Sequence, residues 1–195
     1  MKTVRSLSAL VLLAASLPLA QAASPWSVRL AATYLQTVDN ATKGVDVKIE
    51  DKLIPEFDVG YAFTEHWSAE LVLTVPQEHE VKVNGAKAGT FKHLPPTLLA
   101  KYTFNSIGGF TPYIGAGVNF TLIFDDDLGG AKLDNYSVGP AGQAGFDYKL
   151  NERWAINADI KRVMLRTDVK LPGGATLTEA RLDPWLYSLG LRYQF

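Results

Sequence analysis

The chain ends D-P-W-L-Y-S-L-G-L-R-Y-Q-F, from Asp183 to Phe195, and the reading of this stretch decides the fold. Every second residue back from the terminus is apolar or aromatic: Phe195, Tyr193, Leu191, Leu189, Tyr187 and Trp185. The residues between them, Gln194, Arg192, Gly190, Ser188 and Leu186, are mostly polar or small. Alternate side chains of a strand point to opposite faces, so this pattern predicts a strand lying between two different media. A terminal Phe with nothing after it to bury it is odd in a soluble sheet and natural in a barrel whose outer face meets lipid.

The same alternation recurs upstream, predicting strands at about 26–38, 53–63, 67–75, 93–104, 112–124, 136–148 and 154–165. With the terminal one these make eight. Helical periodicity is hard to find in this part of the chain. The connections alternate: 64–66, 105–111 and 149–153 are short, whereas 39–52, 76–92, 125–135 and 166–181 are long. Short turns on one rim and long loops on the other predict an all-β, eight-stranded antiparallel up-and-down transmembrane β-barrel. A third signal lies at the short-turn rim, where Trp26, Phe63, Trp67, Phe104, Tyr113, Tyr148, Trp154, Tyr193 and Phe195 are expected to form an aromatic girdle.

The front of the chain supplies an address. Lys2 and Arg5 precede an apolar run from Leu7 to Leu19 and the small-x-small triplet Ala20-Gln21-Ala22. Residues 1–22 therefore read as a secretory signal peptide, with 23–195 as the barrel, because the run is shorter than the roughly 20 residues of a membrane span. The chain has 19 Lys and Arg against 20 Asp and Glu, a near-neutral balance that implies no nucleic-acid partner. It has no cysteine, so the exported fold closes without disulfides. Three Asn-x-Ser/Thr triplets, at Asn40, Asn119 and Asn135, read as chance.

Strand parity assigns a direction to every charge. With the apolar set facing out, Arg29, Glu56, Asp58, Glu70, Lys101, Asp147, Asp159, Lys161 and Arg192 face the lumen, and most of them lie toward the short-turn half. An eight-stranded lumen is just wide enough for side chains, so these groups are expected to form a plug of salt bridges. Nearer the long-loop rim, inward parity gives Leu35, Ile54, Val72, Pro95, Leu99, Ile123, Val163 and Leu186. An apolar mouth over a charged floor suits capture of small hydrophobic molecules; the same residues would equally serve to pack against one another or against the loops. Proline cannot donate to a ladder, so Pro76, Pro95 and Pro96 should interrupt pairing between the third and fourth strands. Such a gap could open the wall laterally, or could be two ordinary strand ends.

Several stretches resemble the outer membrane protein W family, which includes alkane-uptake relatives: H-L-P-P-T-L-L-A-K-Y-T-F from His93, P-Y-I-G-A-G-V-N-F-T from Pro112, G-F-D-Y-K-L-N from Gly145, W-A-I-N-A-D-I-K from Trp154, and the C-terminal stretch itself. The resemblance implies a barrel in the Gram-negative outer membrane with a narrow hydrophobic passage from the outer mouth to a lateral opening. Leu99, Leu186 and Pro95 would line that passage. It also implies that the terminal aromatic pattern is read by the barrel assembly machinery. The expected partners are thus outer-membrane lipid, that machinery and small hydrophobic solutes, with no cofactor. The family does not fix the cargo, and some members are regarded as receptors.

Other motifs carry less. His66-Trp67-Ser68 is the one His-x-Ser in the chain, but it sits at a short turn, far from the outer leaflet where a lipid-modifying enzyme must act, so no catalytic residue is expected. Asp125-Asp126-Asp127 reads as a solvated acidic loop, with no metal site expected. Gly115, Gly117, Gly139, Gly142 and Gly145 lie on strands with no helix following, and are expected to make room for lumen side chains. Asn84-Gly85 suggests a hairpin that extends the third and fourth strands above the membrane. The rival readings are a structural or receptor barrel acting through its loops, and a soluble lipocalin-type barrel with the faces inverted.

Overall fold

The computed structural model describes residues 24–37, 47–49, 51–83, 86–127, 132–170, 176–181 and 183–195. The expected signal peptide, the Asn84-Gly85 turn and Asn40 lie outside the described residues. Eight strands form the wall, and the numbering below counts every strand in chain order. The wall strands are β1 (Trp26–Gln36), β3 (Lys52–Ala62), β4 (Trp67–Thr74), β7 (Thr97–Thr103), β8 (Phe110–Asp127), β10 (Tyr136–Lys149), β11 (Trp154–Val163) and β14 (Trp185–Gln194). They pair antiparallel in the order β10-β11-β14-β1-β3-β4-β7-β8, and β8 pairs back onto β10, which closes the barrel. Closure removes the free edges of the wall itself, the one way a sheet can satisfy its backbone in hydrocarbon.

The C-terminal stretch is the closing seam. β14 lies between β11 and β1, with Trp154 opposite Tyr193 on one side and Ser27 opposite Gln194 on the other. The seam extends to the last residue, where the Phe195 N–H donates to Trp26 O at 3.1 Å and the Ser24 N–H donates to Phe195 O at 2.8 Å.

Burial inverts the order of a soluble protein. Leu53 and Leu189 are 73% and 62% exposed, whereas Arg29 and Asp58 are 1% and 0% exposed. Alternation holds along every wall strand, with an e-B-e-B rhythm on β1, β3 and β14. Such a continuous apolar exterior is unstable against water, and a charged interior of this kind is unstable against anything but its own counter-charges. The outside of this barrel meets lipid.

Around the short-turn rim the aromatics meet in pairs. Trp26 packs against Tyr61 at 4.8 Å, Trp67 against Tyr102 at 5.1 Å, and Trp154 against Tyr193 at 4.8 Å between ring centroids. Tyr113 is not a member of this girdle. It shares the inward parity of Asn119 and Thr121 on β8 and is buried in the lumen.

The long connections are not structureless. The second carries the hairpin β5 (Gln77–Val83) and β6 (Ala86–Leu94), and the others hold β2 (Val47–Ile49), β9 (Lys132–Leu133), β12 (Arg166–Lys170) and β13 (Thr176–Arg181). β2 pairs with β5, and β9, β12 and β13 form a separate three-stranded sheet. Asn84-Gly85 points to the β5–β6 hairpin, whereas the short runs of β2, β9, β12 and β13 are too brief to separate from loop by period alone.

Glycine placement reflects close contact inside the wall. A Cβ on Gly145 would stand 2.7 Å from the Tyr113 hydroxyl and 2.6 Å from Asp159 Cβ, so this glycine makes room for the lumen. At Gly117 the obstacle is the neighbouring backbone itself, with Leu98 O at 1.9 Å. Gly142 differs: its Cβ would meet Gly115 O at 3.8 Å, an ordinary contact. Gly117→Val should therefore prevent closure of the β7–β8 seam, since overpacking a tight site costs about 1–3 kcal/mol or more, while Gly142→Ala should fold normally. The gel mobility difference between heated and unheated barrel reads both outcomes.

Candidate functional site: a sealed floor, an apolar layer and a break in the wall

The floor is built around Arg29 of β1. Its guanidinium reaches two other strands, pairing with Glu56 and Asp58 of β3 and with Asp159 of β11, the last at 2.5 Å. It also donates to Asn157 Oδ1. Lys161 completes this cluster, with Nζ 2.7 Å from both Glu56 Oε1 and Asp159 Oδ1 and 3.1 Å from Ser188 Oγ.

A second cluster centres on Glu70 of β4. Its carboxylate accepts from Lys101 at 3.1 Å, Arg192 at 2.8 Å and Gln143 at 3.2 Å. Arg192 also pairs with Asp147 at 3.2 Å. Asn157 links the clusters by donating to Asp147 Oδ1 at 2.6 Å and to the Tyr113 hydroxyl at 2.9 Å, while Tyr113 donates to Asp159 Oδ2 at 3.2 Å. The Lys101 ammonium lies 4.5 Å from the centroid of the Tyr113 ring. All nine charged residues thus cross the lumen and bind partners on other strands. Of the polar residues between them, Thr33, Gln143 and Asn157 were not singled out in the sequence although each shares the inward parity of the charges, Ser188 was placed on the inner face, and Tyr113 was assigned to the girdle instead.

Beside this floor lies an apolar layer. Val72, Leu99, Ala141, Val163 and Leu186, from five strands, form one buried cluster. Leu35, Ile54 and Ile123 are likewise buried. Leu99 is 1% exposed, so the layer is packed shut at its centre.

The wall breaks next to that layer. The β4–β7 ladder runs from Trp67 opposite Tyr102 to Val72 opposite Thr97 and stops there. Pairing resumes only at Gln77 opposite His93, between β5 and β6. Between the two ladders stand Leu73 to Pro76 on one side and Leu94 to Pro96 on the other, and Pro76 is exposed whereas Pro95 and Pro96 are half-buried. Neither Pro95 nor Pro96 has an N–H to donate.

The interrupted backbone is capped from within. Asn119 Nδ2 donates to Pro95 O at 3.2 Å, Pro96 O at 3.3 Å and Thr97 Oγ1 at 2.8 Å. Thr97 Oγ1 donates to Pro95 O at 3.3 Å, and Gln77 Nε2 donates to Val75 O at 2.9 Å. On the far side the Phe120 N–H still bonds Pro96 O at 2.9 Å, so β7 stays fixed to β8 and the break is one-sided. Asn119, Thr121, Gln77 and His93 are all buried here. The sequence offered the prolines but not Asn119, because its contacts span 22 to 24 residues and leave no local signal.

His66 Nδ1 meets Thr103 O at 2.8 Å and its ring stacks on Tyr102, whereas Ser68 Oγ makes no hydrogen bond. Asp125 pairs with Lys92 at 3.1 Å, and the side chains of Asp126 and Asp127 lie outside the described residues.

Comparison with known proteins supplies the remaining finding. The model of the OmpW family matches residues 22–195. The outer-membrane protein y4mB of Sinorhizobium fredii is 38% identical over 88% of this chain and 80% of its own length. The dibenzothiophene metabolism operon protein PahQ of Pseudomonas aeruginosa is 30% identical, over 88% of this chain and 89% of its own. Among solved structures, the outer membrane protein OprG of Pseudomonas aeruginosa superposes with a TM-score of 0.70 at 28% identity, covering 89% of this chain and 97% of that one.

The two clusters differ in how they respond to loss of a cation. Arg29→Met strands three carboxylates with only Lys161 beside them and should destabilise the barrel by about 3–5 kcal/mol, the cost of breaking a buried pair. Lys101→Met should cost clearly less, since Glu70 keeps Arg192 and Gln143. Urea unfolding in detergent micelles, followed by tryptophan fluorescence, ranks the two.

Proposed function

Because the chain belongs to the OmpW family and lies in the bacterial outer membrane, we propose that it is a passive uptake channel for small hydrophobic molecules. They enter the apolar outer mouth and leave sideways through the barrel wall. The carrying observation is that the break past Val72 and Thr97 adjoins the apolar layer, while the lumen beyond that layer is filled by ion pairs. A solute that enters from the long-loop rim passes Ile123 and the polar side chains Thr121 and Asn119 before it reaches the apolar layer. It then finds no path through the floor without separating buried charges, a step costing several kcal/mol per pair. The sideways step into hydrocarbon costs an apolar solute nothing in desolvation and a polar solute a great deal.

Leu35, Ile54, Val72, Leu99, Ile123, Val163, Leu186 and Pro95 form the route in this reading, with Pro76, Pro95 and Pro96 at the exit. Leu99 and Leu186 are closed on each other's cluster at rest, so passage requires their rotamers to shift, a motion on the picosecond to nanosecond scale for free side chains and slower for packed ones. The relation to PahQ supports this reading, as its name ties it to the metabolism of an apolar heteroaromatic compound. Its relatives are outer membrane barrel proteins rather than enzymes.

A second reading rests on the strands beyond the membrane. The β5–β6 hairpin and the β9-β12-β13 sheet give the outer rim a built surface, which fits a receptor whose loops bind external partners. Loss of a surface-binding phenotype on deletion, with uptake unchanged, would favour it.

Two variants test the route in proteoliposomes loaded with an apolar or a polar probe. Leu99→Trp should slow entry of the apolar probe several-fold while the barrel keeps its heat-shifted gel mobility. Pro95→Val with Pro96→Val should do the same from the exit side, since the N–H restored at position 95 points toward the break. Faster entry of polar than apolar probes into wild-type vesicles would refute the channel, and unchanged apolar entry in both variants would refute the path.

A further inference from the structure

The outward face of the eight wall strands carries one charged side chain among those described: Arg162 of β11. Its neighbours in parity on the same strand are Trp154, Ile156, Ala158 and Ile160, and those on β14 are Trp185, Tyr187, Leu189, Leu191 and Tyr193. A charge on the lipid face costs about 2–4 kcal/mol at mid-membrane and nearly nothing at an interface, so its height decides what it does.

The β11–β14 ladder gives that height. Trp154 stands opposite Tyr193 in the periplasmic girdle, and Arg162 stands opposite Trp185 at the other end of the same ladder. Eight residues at roughly 3.3 Å each make about 26 Å along a strand. A tilt of about 40° leaves about 20 Å of height, against an apolar band about 25 Å tall. Arg162 therefore stands at the outer margin of the hydrocarbon, on the long-loop side.

Its immediate contact is aromatic rather than anionic. The guanidinium carbon lies 4.7 Å from the centroid of the Trp185 ring. No ion pair or hydrogen bond holds Arg162 among the described residues. The indole face orients a planar group without consuming its edge, where the N–H donors lie. Those donors are left at headgroup height on a surface that is otherwise apolar.

We propose that Arg162, held by Trp185, is a binding site for a phosphate group of lipid A in the outer leaflet. Two parallel N–H donors of a guanidinium match two oxygens of a phosphate, and partial desolvation at the band's margin strengthens the contact. Outward aromatic and aliphatic side chains below it, Tyr187, Ile160 and Leu189, would lie along the acyl chains of the same lipid. The proposal depends on the membrane orientation and not on the uptake reading, so either can fail without the other.

The test uses the full barrel in detergent micelles, titrated with lipid A, with phosphate-free lipid A or with phosphatidylglycerol, and bound lipid counted by native mass spectrometry. Arg162→Gln removes a lipid-facing charge and should fold with normal heat-shifted mobility. It should raise the dissociation constant for lipid A about tenfold, Arg162→Lys should raise it less, and phosphate-free lipid A should bind all three proteins alike. Equal binding of lipid A to wild type and Arg162→Gln would overturn the site. Arg162-dependent binding of phosphatidylglycerol without such binding of lipid A would overturn the assignment to this lipid.

Discussion

The structure depends on how one buried guanidinium is surrounded. Arg29 is 1% exposed and sits in a lumen too narrow to hold bulk water around it. Glu56, Asp58 and Asp159 surround it from two other strands, and Lys161 offsets part of their charge. A buried pair is weak evidence of stability, because desolvation consumes most of the attraction. Here the alternative is worse, since the same residues turned outward would face hydrocarbon. The membrane outside thus fixes which way these strands face, and the ion pairs inside make that choice tolerable.

The two clusters are not equivalent. Around Glu70 and Asp147 stand Lys101 and Arg192, two acids with two bases. Around Arg29 three acids share Arg29 and Lys161, so the excess negative charge of the floor is localised there. Asn157 and Tyr113 spread it, by bridging to Asp147 and Asp159. A floor so interlinked is a rigid seal. The apolar layer beside it has no directional bonds, only packing, and past Val72 the wall next to that layer lacks the ladder from β4 to β7, while Leu73 and Thr74 stay paired with β3. Stiffness and compliance are therefore separated along the barrel: motion that would unpair charges is expensive, while motion of Leu99 beside the break is not.

The period of two told most of this before any coordinates. The parity that made Phe195, Tyr193 and Leu191 lipid-facing also placed Arg192 inside, and the same count placed the other charges and Val72, Leu99, Val163 and Leu186 of the layer, though Ala141 was not singled out. Parity reports a face, not a partner. It could not say that Asn119 would cap the carbonyls of Pro95 and Pro96, nor that Leu99 and Leu186 would share one buried cluster, because those groupings join strands distant in sequence. It misjudged Tyr113, whose place near a strand end suggested the girdle while its count along β8 put it in the lumen. The β5–β6 hairpin was legible in Asn84-Gly85, the turn signal between its strands, whereas the small outer sheet was not, because runs this short carry no period of their own.

Arg162 shows what parity adds when it is applied in both directions. A polar residue facing inward needs a partner in the lumen, and each such charge here has one. A charged residue facing outward breaks the rule that organises the whole wall, and neither packing nor pairing within the described residues accounts for it. Its place opposite Trp185, at the far end of the ladder that begins with Trp154 and Tyr193, puts the exception where hydrocarbon gives way to headgroups. The closing seam that the C-terminal stretch forms with β11 is thus anchored at both membrane margins. Paired aromatics hold it below, and above it a cation over an indole faces the one layer of the membrane that can supply its counter-charge.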